Sequence, residues 1–84
     1  MKTQLPDSAI EAAVLAAVTA RGPGRTLCPS EVARGLAEEW RPLMGPVRAA
    51  AARLAARGLV TVTQRGVAVD ALAARGPVRL GRPA

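Results

Sequence analysis

Residues 43–69, LMGPVRAAAARLAARGLVTVTQRGVAV, contain a change of hydrophobic period that decides the fold. The first part has one apolar stripe at helical spacing, formed by Leu43, Val47, Ala50, Ala51 and Leu54. After Gly58, a typical helix terminator, the period becomes two, because residues 60–63 and 67–69 are alternating β-branched runs. Residues 64–66 between these runs predict a tight turn. The stretch therefore predicts a third helix followed by a β-hairpin.

The N-terminal part predicts a first helix that ends near Arg21, before the Gly-Pro-Gly at 22–24. Its apolar residues recur at helical spacing: Ile10, Val14, Ala17 and Val18. Ser8 followed by Glu11 predicts a capping box at its start. A second helix is expected from residues 28–31, with Pro29 in its first turn. Either Cys28 or Ser30 is its N-cap.

The order of helix, short extended segment at 25–27, helix, helix and hairpin predicts the α+β class. Three helices with a C-terminal two-stranded β-hairpin wing form a winged helix-turn-helix. We expect one domain over residues 1–84, with a disordered lead-in at 1–6 and an extended tail at 76–84. Besides the hairpin valines, the predicted core contains the residues Ile10, Val14, Val18, Leu27, Val32, Leu36, Leu43, Val47, Leu54 and Leu59.

Four segments carry a resemblance to a known family: TLCPSEVAR at 26–34, WRPLM at 40–44, VRAAAARL at 47–54 and ARGPVRL at 74–80. Over most of residues 8–80 the chain resembles a short bacterial family of winged-helix domains of unknown function. Ala71 departs from the pattern, which has Pro after Asp70. The resemblance implies the winged-helix fold and supplies no catalytic residues.

Composition excludes several classes of function. The 84 residues include 12 Lys and Arg against 6 Asp and Glu, a net charge of +6, with no His and one Cys. Without His there is no imidazole base, and a single Cys forms neither an internal disulfide nor a Cys-rich zinc site. We therefore expect no enzyme, no catalytic residue, no metal and no cofactor. No apolar stretch is long enough to cross a membrane, and a lone Cys28 without an export signal predicts a cytoplasmic protein.

The basic charge and the fold order together predict double-stranded DNA as a partner. In a winged helix the third helix enters the major groove and the wing touches the DNA backbone. Arg48, Arg53 and Arg65 are the predicted main contacts. Arg25 and Arg41 are expected on phosphates. Since Gly and Ala opposite the core cannot read base edges, binding should be mostly to phosphates with weak base specificity. The alternative is a solvated surface whose Arg content reflects compositional bias.

The small-residue face of the third helix supports a second hypothesis. It contains Gly45, Ala49, Ala52 and Ala56. Such a face allows another helix to approach closely, so the chain is alternatively a protein-interaction module or a homodimer. Ala on this face is also explained by its high helix propensity alone.

Two further residues have both a functional and a structural interpretation. Trp40 either stacks on a base or packs at the junction of the second and third helices, and packing is favoured. Cys28 is the only candidate redox group, but no His is available to activate it. A half-buried apolar residue at a helix start is the favoured interpretation of Cys28.

Overall fold

The computed structural model describes residues 5–83 and contains three helices packed on one sheet. The elements are α1 (Asp7–Arg21), β1 (Thr26–Leu27), α2 (Pro29–Leu36), a 3₁₀ turn (Arg41–Leu43), α3 (Met44–Ala56), β2 (Thr61–Gln64), β3 (Val67–Ala68) and β4 (Arg79–Gly81). The predicted α+β class is confirmed. Residues 1–4, where most of the expected disordered lead-in falls, lie outside the described residues, whereas Leu5 already packs against the core.

The start of α1 differs from the prediction. Its N-cap is Pro6, which makes no side-chain capping bond, and the helix begins at Asp7. Ser8 is therefore inside the first turn and cannot be the N-cap. Glu11, the expected second member of the capping box, instead accepts a hydrogen bond from Arg53 of α3 at 2.6 Å. The capping box was wrong because a charged partner on another helix competes for Glu11.

The start of α2 resolves the choice between Cys28 and Ser30. Cys28 is the N-cap, with extended backbone angles, and Pro29 is the first helical residue. The Cys28 N–H donates to Oε1 of Glu31 at 3.4 Å. This contact satisfies a backbone donor at the helix start, as in a capping box.

The C-terminus of α3 is the helix stop that Gly58 predicts. Gly58 has φ +75°, its N–H donates to the Ala55 carbonyl, and the Leu59 N–H donates to the Leu54 carbonyl. This pair of bonds is a Schellman motif, which favours Gly at the left-handed position. The motif turns the chain from α3 into β2.

The predicted β-hairpin is present as β2 and β3, with its tight turn between Gln64 and Val67. It is part of a four-stranded antiparallel sheet in the order β1-β4-β2-β3, and not a separate two-stranded unit. The segment expected as an extended tail, 76–84, contains β4, a central strand. Leu80 of β4 lies opposite Leu27 of β1 and Val62 of β2. A two-stranded hairpin alone would leave its inward-facing valines poorly covered. Because Val78 and Leu80 become fully buried when β4 pairs between β1 and β2, this apolar burial favours β4 as an additional strand.

The core lies between the helices and one face of the sheet. Its largest fully buried side chains are Leu27, Leu54, Leu80, Val14, Val18, Val47 and Val78. Leu59, predicted as core, is 40% exposed, because Val60 and Val62 point inward and the alternation places residue 59 on the opposite side. Leu36 and Leu43 are half-buried. Val67 is 66% exposed because β3 is an edge strand.

Candidate nucleic-acid interface

Arg48 connects α3 to the loop 70–77, which joins β3 to β4. Its Nε donates to the Ala71 carbonyl at 2.9 Å, Nη2 to the Ala74 carbonyl at 2.8 Å and Nη1 to the Gly76 carbonyl at 3.1 Å. All three nitrogens are therefore engaged within the fold. Arg48, which the sequence predicts as a DNA contact, has its guanidinium group oriented toward these backbone carbonyls. The Arg48 side chain therefore holds the loop 70–77 in place and adds a positive charge next to it.

Gln64, the last residue of β2, holds the other carbonyls of the same loop. Its Nε2 donates to the Arg75 carbonyl at 2.6 Å and to the Pro77 carbonyl at 3.1 Å. Arg48 and Gln64 thus hold alternate carbonyls between residues 74 and 77. The hydrogen bonds place Arg75 between α3 and the end of the hairpin, with its side chain exposed.

Arg65 occupies the tip of the hairpin in an unusual backbone conformation. It has φ +52° and Gly66 has φ +80°, between the paired residues Gln64 and Val67. Two positive φ angles in a two-residue loop are typical of a type I′ turn, which favours Asn, Asp or Gly. An Arg at this position is strained, and such strain is often found at functional sites.

Arg48, Arg65 and Arg75 form a group that we call the hairpin cluster. No carboxylate lies within 4 Å of their guanidinium nitrogens in the part of the chain that the structure describes. The nearest acidic residue in sequence, Asp70, accepts a hydrogen bond from the Leu72 N–H at 2.9 Å. The cluster therefore presents uncompensated positive charge at the hairpin end of the sheet, which attracts phosphate groups.

Arg53 lies on the opposite flank of α3 and is engaged elsewhere. Its Nε donates to Glu11 of α1 at 2.6 Å, and its Nη2 is buried without a partner. Glu11 also lies 3.6 Å from Nη1 of Arg57. The structure thus places Arg53 in a contact between α1 and α3, and does not bring it to the hairpin cluster.

Arg41 lies beside Trp40, at the junction of α2 and α3. The guanidinium carbon of Arg41 is 4.7 Å from the centre of the Trp40 ring, and that of Arg34 is 4.6 Å from it. Trp40 itself is half-buried against the core. These contacts agree with packing of Trp40 at the junction. The two cation–π interactions hold the guanidinium groups of Arg34 and Arg41 over the indole ring.

Arg25 lies at the other side of the sheet, next to β1. It lines an open groove with Arg21, Thr26 and Arg79. Arg21 donates to the Thr26 carbonyl and forms an ion pair with Glu31. The Cys28 N–H and the Arg21 guanidinium hold the pKa of Glu31 below its ordinary value. The predicted DNA-binding residues therefore fall into separate places. Only Arg48 and Arg65 are connected to the same loop, Arg48 by its own hydrogen bonds and Arg65 through its neighbour Gln64.

The small-residue face of α3 forms part of a shallow groove. Ala49, Ala52 and Ala56 line it, together with Val69 and Leu72 from the segment before and within the loop 70–77. Gly45, at the start of α3, does not line this groove. Leu72 is 66% exposed, so the groove has an apolar rim that no other part of the described chain covers.

Sequence reasoning missed Arg75 and Gln64. The sequence offers no local pattern for them, because the hydrogen bonds that position Arg75 are long-range. Gln64 and Arg75 are 11 residues apart in the chain, and Arg48 and Ala74 are 26 residues apart. A partial signal is the polar Gln64 at a position where the hairpin alternation expects an apolar residue, since Val60 and Val62 share its side of β2.

Within 5–83, no group of three or more His, Cys, Asp or Glu side chains could hold a metal ion. Among these same residues, no helix is long and apolar enough to cross a bilayer.

The fold and the hairpin cluster define a small α+β domain with a basic end. Residues 7–83 match the family described as "Protein of unknown function (DUF3253)", and the chain belongs to that family. No curated protein matches the chain. The match covers nearly all of the chain, including the loop 70–77 and β4.

Proposed function

We propose that the chain is a winged-helix domain that binds duplex DNA through backbone phosphates, with the hairpin cluster as its main contact. One observation carries this proposal. Gln64 binds the Arg75 carbonyl at 2.6 Å, which ties the backbone of Arg75 to the residue that precedes the strained Arg65. Arg65 and Arg75 are both exposed and have no carboxylate partner among the described residues, and Arg48 adds a third positive charge. Such guanidinium groups are suited to neighbouring phosphates of a DNA backbone.

The element order supports the winged-helix assignment. Three helices precede the hairpin, and the short strand between α1 and α2 pairs with the last strand of the sheet. In this interpretation β2 and β4 are the strands of the wing, and residues 65–78 are its tip, enlarged by β3 and the loop 70–77. The tip of a wing commonly contacts the DNA backbone.

The environment of α3 supports weak base specificity. Its small-residue face lies along Val69 and Leu72 in the groove described above. Ala side chains have no hydrogen-bond donor or acceptor for a base edge. The segment that contains Val69 and Leu72 also lies next to this face of α3 and leaves less room for a DNA major groove. The proposed contact is therefore sequence-tolerant. It involves no catalytic step. As part of the same proposal, the protein is bacterial, in keeping with the family resemblance, and acts in the cytoplasm, where bacterial genomic DNA is found.

The test is a fluorescence anisotropy titration of a labelled random-sequence duplex with the purified protein at 50 and 200 mM salt. We expect micromolar binding at the lower salt and about 10-fold to 100-fold weaker binding at the higher salt. Equal affinity for duplexes of different sequence is expected as well. No binding at 50 mM salt would refute the proposal.

A second candidate function, contact with a protein partner or a second copy of the chain, is favoured by one observation. Leu72 is 66% exposed at the rim of the groove that Ala49, Ala52 and Ala56 line. An exposed Leu next to a small-residue helix face allows close apolar packing. Light scattering after gel filtration tests the homodimer. A dimer that Leu72→Glu converts to a monomer would favour this function, and a monomer at high concentration would argue against self-association.

A further inference from the structure

A second basic site lies beside the edge strand β1. The groove there is lined by Arg21, Arg25, Thr26 and Arg79, and we call it the β1 groove. β1 and β3 form opposite edges of the four-stranded sheet, so this groove is separate from the hairpin cluster. The hairpin contact described above does not use it.

Arg79 is held in the β1 groove by neutral acceptors only. Its Nε donates to Thr26 Oγ1 at 2.9 Å, Nη2 to the Thr26 carbonyl at 3.0 Å and Nη1 to Cys28 Sγ at 2.9 Å. These bonds fix the orientation of the guanidinium group without neutralising its charge. Two of its five N–H groups remain available, and Arg79 is exposed.

The charge around the groove is only partly balanced by Glu31, which pairs with Arg21 and whose pKa, lowered chiefly by the Cys28 N–H, also reflects the nearby charge of Arg79. Arg21 is paired with Glu31, whereas neither Arg25 nor Arg79 has a carboxylate within 4 Å among the described residues. Glu31 also accepts from the Cys28 N–H, so a carboxylate already occupies the adjacent helix start. The groups available to a ligand are therefore the side chains of Arg25 and Arg79. An oriented guanidinium next to an exposed, unpaired one is suited to a multi-oxygen anion.

We infer that the β1 groove binds a phosphate group, with Arg25 and Arg79 as its ligands. The planar fork of each guanidinium group pairs with two oxygen atoms. Two guanidinium groups therefore match the several oxygens of a phosphate better than the two oxygens of a carboxylate. The phosphate group belongs either to a free phosphate compound or to the backbone of a nucleic acid. The binding of a free compound does not depend on the DNA contact at the hairpin cluster.

The experiment is an NMR titration of the ¹⁵N-labelled protein with inorganic phosphate, with chloride replaced so that ionic strength stays constant. We expect amide shifts centred on Thr26, Cys28 and Arg79. Arg25→Gln should weaken phosphate binding about fivefold, since it removes one exposed charge that contacts the ligand. Arg25 makes no side-chain bond within the described chain, so this variant leaves the fold intact.

Arg57→Gln is the matched control, because it removes the same charge from the C-terminal end of α3, and Arg57 belongs neither to the β1 groove nor to the hairpin cluster. We expect it to leave phosphate binding unchanged. Shifts spread over all basic surfaces, or an equal loss in both variants, would overturn the inference, since they indicate attraction by net charge alone. An absence of shifts would overturn it as well.

A DNA arm distinguishes the two sources of the phosphate group. If the DNA backbone occupies the groove, Arg25→Gln should lower the slope of log affinity against log salt by about 0.9. An unchanged slope, together with weakened inorganic phosphate binding, assigns the groove to a free phosphate compound. If the wild-type chain binds phosphate in the groove and no duplex at all, the β1 groove stands and the proposed DNA function falls.

Discussion

Nη2 of Arg48 donates to the Ala74 carbonyl oxygen at 2.8 Å, which joins the third helix to a loop 26 residues further along the chain. Arg48 is one of the residues that the sequence assigns to DNA. In the structure Arg48 adds its positive charge to the hairpin cluster. Its hydrogen bonds to the Ala74 and Gly76 carbonyls hold the backbone on both sides of the exposed Arg75.

Replacement of Arg48 should destabilise the protein more than replacement of its exposed neighbour. Arg48→Met removes two part-buried hydrogen bonds and one exposed hydrogen bond to loop carbonyls, and we expect a loss of about 2–3 kcal/mol and a Tm lower by about 10–20 °C. Arg75→Met, whose side chain has no bonded partner among the described residues, should change stability by less than about 0.5 kcal/mol. Thermal unfolding followed by circular dichroism measures both. Similar Tm values for the two variants would show that the Arg48 bonds do not hold the loop.

Arg65 should show a trade-off between stability and binding. Arg65→Asn places a residue that tolerates φ +52° at the hairpin tip, so stability should rise by about 0.5–1 kcal/mol. The same change removes one phosphate contact, and the salt slope of DNA binding should fall by about 0.9. Urea unfolding and anisotropy titrations measure the two quantities. If Asn stabilises the protein without any loss of DNA affinity, Arg65 does not contact phosphate.

Two glycines should respond in opposite directions to the same substitution. A Cβ on Gly81 would lie 3.1 Å from Thr61 Oγ1 and 3.2 Å from Thr26 Cγ2, so Gly81→Ala should cost about 1–3 kcal/mol through crowding of the central strand. A Cβ on Gly35 of α2 meets nothing within 4 Å, and Gly35→Ala should stabilise the protein by about 0.5 kcal/mol. Chemical unfolding of both variants decides this. A tolerated Gly81→Ala would mean that β4 lies less tightly against β1 and β2.

Glu31 should make stability depend on pH. The pKa of Glu31 is lowered in the folded state, chiefly by the bond from the Cys28 N–H and also by Arg21. A lowered folded-state pKa stabilises the protein above the unfolded value of about 4.3, and this contribution is lost as the pH falls through the folded value. Glu31→Gln should therefore be less stable than wild type at pH 7, and the gap in stability should narrow as the pH falls below about 4.3.

Glu39→Gln serves as the control for the pH measurement, since Glu39 is exposed and forms no ion pair within the described residues. Its Tm should follow the wild-type curve from pH 7 to pH 3. A gap between wild type and Glu31→Gln that stays constant over this range would contradict an ionic role for Glu31.

The sequence predicts the helices well, because their apolar stripes and stops are local patterns. The stripe from Leu43 to Leu54, the stop at Gly58 and the start of α2 at Cys28 are confirmed. The sheet is predicted less well. β4 contains three residues, Arg79–Gly81, and its pairing with β1 and β2 is decided by long-range burial of Leu80.

The candidate site could be predicted only in part for a similar reason. A helical wheel places Arg48 and Arg53 on opposite flanks of α3, and they indeed contact different elements. A wheel does not reveal which flank meets a backbone carbonyl and which meets Glu11. Arg75 becomes a candidate only when Gln64 and Arg48 are seen to hold the carbonyls around it.

The most direct test of the central claim compares the salt dependence of DNA binding in two double variants. Arg65→Gln with Arg75→Gln removes both exposed charges of the hairpin cluster, and Arg57→Gln with Arg82→Gln removes two charges elsewhere. We predict that the salt slope falls by about 1.8 and the affinity by about 10-fold to 30-fold in the first variant only. If both variants lose the same slope and affinity, DNA responds to net charge alone and the hairpin cluster is not the interface.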